Sequence, residues 1–169
     1  KCILDENENK FSTVIEVIDT MDLTPVEKVE NSCVALCKAS ELYKLLVADG
    51  DVIRKSLFND NVRDYQGDNT VNSEIYDTIN SDPQKFVLLN NGIAVVCDEF
   101  VPNNRKLRIE NPQIVNGCQT CHVIYNARKE GLDLSDTTIV MKIIATKNVE
   151  ISNEIVKGTN RQRYKQRTI

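Results

Sequence analysis

An apolar run near the end of the chain, TTIVMKIIAT at residues 137–146, restricts the possible folds more than any other feature. Its β-branched side chains favour an extended strand. Before it, shorter runs of the same kind alternate with segments in which apolar residues recur at helical spacing. This mixed order predicts an α/β domain, or a mixed α+β domain, with a short-stranded mixed sheet and three to four helices.

The remaining elements follow from the same two periodicities. Further strands are predicted at residues 11–20, 33–38, 86–89, 93–100, 106–110 and 113–115, and helices at 41–48, 71–79, 117–129 and 150–163. Ser40 is the predicted cap of the first helix, and Pro83 ends the second. The Asn90-Asn91-Gly92 segment is predicted to form a hairpin turn between two of the strands, because an Asn-Gly pair favours positive φ.

Composition is typical of a globular domain, with 169 residues, 41% hydrophobic and 27% charged. No stretch approaches the roughly 18 consecutive apolar residues of a membrane span, and no signal peptide is visible, so no membrane partner is predicted. Four of the six cysteines lie in apolar runs, which favours reduced thiols and a cytoplasmic location. Both ends look cut, so we expect a fragment of a longer protein.

The charge distribution is uneven, although the net charge is only −4. From residue 155 onward there is no acid, and the five cations are Lys157, Arg161, Arg163, Lys165 and Arg167. A basic end on an acidic body suggests a polyanionic partner such as nucleic acid. The alternative, which we favour, is a solvated helix end whose cations complement the helix dipole.

Four polar clusters lie where an apolar element meets a turn. They are Asn61-Val62-Arg63 with Gly67, Asn90-Asn91-Gly92, the run QIVNGCQT at residues 113–120, and Thr159-Asn160-Arg161-Gln162. Carboxamides donate and accept hydrogen bonds without carrying charge, which suits a planar polar ligand such as a nucleobase. They also suit the bracing of backbone groups in a tight bend.

The third cluster has the form of a strand that turns into a helix. Free backbone N–H groups point out of such a helix start, which makes it a potential anion site, and Gly117 would let a phosphate approach the backbone. Gln119 and Thr120 fall in the first turn, where their side chains can add contacts. The plainer alternative is an ordinary turn with Asn116 as the helix cap.

In this order, the clusters resemble the pattern of the AIPR family, named for abortive-infection phage resistance. The resemblance spans residues 57–162 through LFNDNVRDYQG, VNSEIYDTI, PQKFVLLNNGIAV, PQIVNGCQT and GTNRQ. It divides the chain into an unassigned N-terminal part, residues 1–56, and an AIPR-like core, residues 57–169, and it implies a role in restricting phage. It also implies a wider kinship with the ParB/sulfiredoxin-like fold, in which such a turn handles nucleotides or phosphate.

Carried over by position, the resemblance implies a ligand site of carboxamide, glycine, hydroxyl and guanidinium groups. Its members are Arg63, Asn90, Asn91, Asn116, Gly117, Gln119, Thr120, Asn160 and Gln162. Related motifs carry an Arg or His after the Gln. Thr120 stands in that place here, which argues against nucleotide hydrolysis, and no catalytic residue is assigned.

Two other chemistries overlap these motifs. The string from Cys118 through Cys121 to His122 matches the C-x-x-C-H pattern of haem attachment. On a helix, however, Cys118, Cys121 and Tyr125 share an apolar face, so we expect reduced thiols, a buried Cys121 and no haem. One His and one close Cys pair are too few for a zinc site, and no metal or cofactor is predicted.

The leading interpretation is therefore a nucleotide- or nucleic-acid-binding core of a bacterial phage-defence protein. One alternative is a nucleotide hydrolase or nuclease whose catalytic residues lie partly outside the fragment, and another is a non-catalytic module that binds a partner. We predict that the turn at residues 116–120 begins a helix and faces a polar cleft. The predicted walls are Arg63, the Asn90-Asn91 turn and residues 160–162.

Overall fold

The computed structural model describes residues 11–58 and 70–167, with side chains through residue 160. The strands are β1 (Ser12–Glu16), β2 (Asp19–Asp22), β3 (Asn31–Lys38), β4 (Val47–Ala48), β5 (Val52–Ile53), β6 (Ile93–Cys97), β7 (Glu99–Asn103), β8 (Lys106–Glu110), β9 (Gln113–Asn116) and β10 (Thr138–Ala145). The helices are α1 (Ala39–Leu46), α2 (Thr70–Ser81), α3 (Phe86–Leu89), α4 (Cys118–Lys129) and α5 (Val149–Arg167), with 3₁₀ turns at Lys55–Leu57 and Pro83–Lys85. The predicted mixed α/β class is confirmed.

Strand β10 lies at the centre of the main sheet, as its apolar sequence leads one to expect. The strand order is β2-β3-β10-β6-β9, with β10 antiparallel to β3 and parallel to β6. Alternate residues of β10 point into the core, and Ile139, Met141 and Ile143 are almost fully buried. The buried faces of α1 and α4 belong to the same apolar cluster, so these helices complete the core.

The opposite face of the central sheet is less covered. Val140 is only partly buried and Lys142 is exposed, although both lie in the middle of the sheet. Across the register, Lys142 lies beside Val34 on β3 and Ala94 on β6, so these three residues share one face. This face becomes the floor of the site described below.

Two of the predicted strands are each divided between two sheets. Residues 11–20 form β1 and then β2, and residues 93–100 extend from β6 into β7. Strands β1 and β7 belong to a separate three-stranded sheet in the order β1-β8-β7, whereas β2 and β6 belong to the central sheet. The chain passes from the small sheet to the central sheet between Val17 and Ile18. The Val17 N–H donates to Arg105 O in the turn between β7 and β8, and the Ile18 N–H donates to Leu36 O of β3. A run of strand-forming residues does not reveal such a transfer.

The predicted strand at residues 86–89 is wrong, because these residues form the single-turn helix α3. The 3₁₀ turn Pro83–Lys85 leads into it, and the Asn90 N–H closes the turn on Phe86 O at 2.9 Å. Phe86 is buried, whereas Leu88 and Leu89 are 81% and 69% exposed, a pattern that a strand of four apolar residues would not give. Asn90-Asn91-Gly92 is therefore a helix-to-strand connection and not a hairpin turn.

Other boundaries change less. Helix α1 begins at Ala39 after Lys38, without a side-chain cap, so the predicted cap at Ser40 is wrong. Strand β3 belongs to the N-terminal part, residues 1–56, and β10 belongs to the AIPR-like core. Because β3 pairs along its whole length with β10, the two parts share one sheet. Among the described residues, no helix is both long enough and apolar enough to cross a membrane.

Candidate functional site

A cleft of about 980 Å³ opens where β6 begins and β9 ends. Its floor is the less covered face of the central sheet, and one wall is the side of α2 that carries Glu74 and Asp77. The first turn of α4, the α3–β6 connection and Thr159 of α5 also line it.

Six of the nine predicted site residues line this one cleft. They are Asn90, Asn91, Asn116, Gly117, Gln119 and Thr120. At the α5 end, the neighbouring Thr159 lines the cleft, whereas Asn160 is partly buried and is not among the described lining residues. Arg63 and the side chain of Gln162 lie outside the described residues, as do the side chains of the basic residues beyond 160.

Asn90 connects two walls of the cleft through both atoms of its carboxamide. Its Oδ1 accepts a hydrogen bond from the Gly92 N–H at 2.8 Å, and its Nδ2 donates to Thr120 Oγ1 at 3.1 Å. The side chain thus fastens the α3–β6 connection to the first turn of α4. Asn90 acts as a brace here, while the neighbouring Asn91 is exposed at the cleft.

Asn116 makes a second connection, at the end of β9. Its Nδ2 donates to the backbone oxygen of Thr159 at 3.3 Å, and Thr159 Oγ1 donates to Ile155 O at 2.8 Å. The first of these bonds joins the central sheet to α5, and the second lies within α5. Gly117 holds the cap position of α4, so the alternative in which Asn116 caps the helix is wrong.

Two glycines allow the cleft walls to pack closely. Gly117 has a φ of +90°, and a Cβ on it would lie 2.6 Å from Ile93 Cγ2 and 2.9 Å from Gly92 O. Gly92 has a φ of +81°, and its Cβ would collide with the backbone oxygen of Val140. Glycine is therefore required at both positions by backbone conformation and packing, whatever the cleft binds.

Comparison of the sequence with models of protein families gives a match. A model of the family described as AIPR protein matches residues 58–164, which is more than half of the chain. The chain belongs to the AIPR family. Membership implies abortive infection, the form of phage resistance for which the family is named.

The AIPR match runs from the end of the first 3₁₀ turn to near the end of α5, so it contains nearly all of the cleft lining. No curated protein and no solved structure matches the chain. The kinship with the ParB/sulfiredoxin-like fold and the cytoplasmic location stay predictions.

Within the AIPR region, sequence reasoning missed Lys142. This lysine rises from the cleft floor, and none of the ion pairs among the described residues includes it. A signal was present, because Lys142 is the only charged residue within the apolar run at 137–146. Glu74 and Asp77 were missed as well, because the sequence pattern of a charged helix face does not show whether that face is solvated or lines a cleft.

The cysteines of the AIPR core lie away from the cleft, in the apolar interior. Cys121 is fully buried, as predicted, and burial raises its pKa well above the ordinary value. His122 approaches Cys118 O through Nδ1 at 2.8 Å, and its ring packs on Phe58 with centroids 4.7 Å apart. The absence of haem stays a prediction, which a Soret band in protein made by a host with cytochrome maturation would contradict.

Proposed function

We propose that the cleft of this AIPR core binds a nucleotide or a nucleic acid, and that this binding is its sensing step in phage defence. The observation that carries the proposal is the meeting of polar groups from separate chain segments around one cavity. The described polar groups come from the α3–β6 connection, the end of β9, the first turn of α4, β10 and α5.

The chemistry of the lining fits a nucleotide in two respects. Asn91 and Gln119 offer uncharged donors and acceptors of the kind that recognise the edge of a base. Lys142 offers an ammonium group of the kind that binds phosphate. A site for a wholly apolar ligand would have neither feature.

The first experiment measures binding by the complete natural protein with alanine variants of the lining. Asn91→Ala and Gln119→Ala should each weaken binding of nucleotides or oligonucleotides by about tenfold, the value of one or two hydrogen bonds. Asn126→Ala is the matched control, because Asn126 is exposed on α4 outside the cleft. Melting temperatures establish that the variants fold.

The same variants separate the proposal from a purely structural cleft. If Gln119→Ala loses both ligand binding and phage protection while Asn126→Ala keeps both, the proposal stands. If no nucleotide or oligonucleotide binds to the unaltered protein, or if the Gln119→Ala variant protects fully, the proposal is wrong. A braced turn without ligand would then be the better description.

A hydrolase is the second candidate, favoured by one observation. Glu74 and Asp77 place two carboxylates in the cleft that contains the carboxamides. Among the described residues no group of three or more His, Cys, Asp or Glu side chains could hold a metal ion, so Mg²⁺ would be held by one or two carboxylates together with the phosphates of the ligand. Release of product from the bound ligand with Mg²⁺ present, and its loss in Glu74→Gln, would support this candidate.

A further inference from the structure

We infer that the cleft takes one nucleotide rather than a strand of nucleic acid, with its phosphate beside Lys142 and its ribose hydroxyls against Glu74 and Asp77. This inference rests on the proposed function and narrows its ligand class. Four properties of the lining support it: size, charge balance, the position of the cation, and apolar surface.

The size of the cleft corresponds to a small molecule. Its volume of about 980 Å³ falls at the upper end of the roughly 300–1,000 Å³ typical of small-molecule sites. A strand of nucleic acid would need a groove that continues beyond both ends of the site. Here Thr159 of α5 lines the cleft beside Asn116, at the edge strand of the central sheet.

The charge balance disfavours a strand. Among the described residues that line the cleft, Lys142 is the one cation and Glu74 and Asp77 are the acids. A strand places a phosphate at every nucleotide and is bound by several cations along its path. Phosphates passing α2 would instead meet two carboxylates. A single nucleotide avoids this repulsion, because its phosphate can lie at the lysine alone.

Lys142 and Asn116 lie on different strands of the floor. Across the sheet, Lys142 of β10 lies beside Ala94 of β6, and Ala94 lies beside Asn116 of β9. Two strand spacings, roughly 10 Å, therefore separate the backbone of Lys142 from that of Asn116. An elongated ligand with a phosphate at one end and a polar base at the other matches this arrangement.

The acids and the apolar lining have roles for the remaining parts of a nucleotide. Carboxylates accept hydrogen bonds from the hydroxyl groups of ribose, as acidic residues do in dinucleotide sites. Glu74 and Asp77 lie one turn apart on the same side of α2. Ala94 of β6, which lies between Lys142 and Asn116, gives the floor apolar surface against which the face of a base can rest.

The test compares free nucleotides with a single-stranded RNA oligonucleotide, using the complete natural protein. A panel of ribonucleoside mono- and triphosphates should include one that binds, and Lys142→Met should weaken it about tenfold, the loss of one charge-assisted hydrogen bond. Lys147→Met is the matched control, since Lys147 is exposed just beyond β10 and does not line the cleft. The salt dependence should be shallow, at most about one log unit per log unit of salt.

A second comparison tests the sugar. The 2′,3′-dideoxy form of the bound nucleotide should bind several-fold more weakly than the ribose form, and the Glu74→Ala, Asp77→Ala variant should lose this preference. If only the oligonucleotide binds, or if Lys142→Met binds as well as the unaltered protein, the inference is overturned while the proposed function stands. If neither ligand class binds, both fail together.

Discussion

Gly92→Ala is expected to lower the free energy of unfolding by about 3 kcal/mol or more, or to prevent folding altogether. The φ of +81° at Gly92 strains any other residue by roughly 1–2 kcal/mol. The added Cβ would also collide with the backbone oxygen of Val140 on β10. Gly92 directly precedes β6, and neither β6 nor β10 can move away without breaking the pairing of the central sheet. Overpacking of this kind costs roughly 1–3 kcal/mol beyond the strain.

Gly50→Ala provides the matched control for this prediction. Gly50 has the same φ of +81°, but nothing lies within 4 Å of the position that a Cβ would take there. Its substitution should therefore cost only the backbone strain, roughly 1–2 kcal/mol. Urea unfolding followed by circular dichroism compares the two variants. Equal losses at positions 92 and 50 would show that close packing at the cleft is not what requires glycine.

The fold was most predictable where an element is long and strongly patterned. The central strand at 137–146 and the helices at 71–79 and 117–129 were predicted to within a few residues of β10, α2 and α4. The prediction failed at residues 86–89, because four apolar residues cannot show whether their period is that of a strand or a helix. In the structure, the 3₁₀ turn Pro83–Lys85 leads directly into α3.

The candidate site was partly predictable for a different reason. Asn90, Asn116 and Gln119 could be found because carboxamides at the ends of apolar elements are conspicuous. That they meet depends on the order of the strands, which places the start of β6 beside the end of β9. Lys142 was overlooked because a lone lysine in a strand usually marks a solvated face, and only the topology shows that this face is the floor of a cleft.

Raising the pH from 8 to 10 should destabilise the protein markedly, because its core holds thiols that ionise much less readily in the folded state than in the unfolded chain. Burial, reinforced by nearby acids, raises the pKa of Cys33 from 9.0 to about 11, and raises the pKa values of Cys37 and Cys97 to about 12. All three side chains are at least 98% buried. Their thiolates therefore form readily only in the unfolded chain.

The direction of the effect follows from proton binding. Well below pH 9 the thiols are protonated in both states and contribute nothing to the pH dependence. Between pH 9 and about 11, where Cys33 ionises in the folded state, the unfolded chain binds fewer protons, so stability falls as the pH rises. Each thiol contributes about 1.4 kcal/mol per pH unit. Together, the three should remove roughly 4 kcal/mol by pH 10.

Urea unfolding in the presence of a reductant, at pH 8 and pH 10, measures this loss, and variants assign it to the thiols. The Cys33→Ala, Cys97→Ala double variant should lose stability at both pH values because of its cavities, but the difference between the two pH values should shrink by about 2.7 kcal/mol. Val95→Ala, which makes a cavity in the same core without removing a proton, should leave the difference unchanged. Exposed tyrosines and lysines ionise equally in the unaltered protein and in both variants, so their effect cancels when the pH differences are compared. An unchanged pH dependence in the double variant would mean that the buried thiols are not its source.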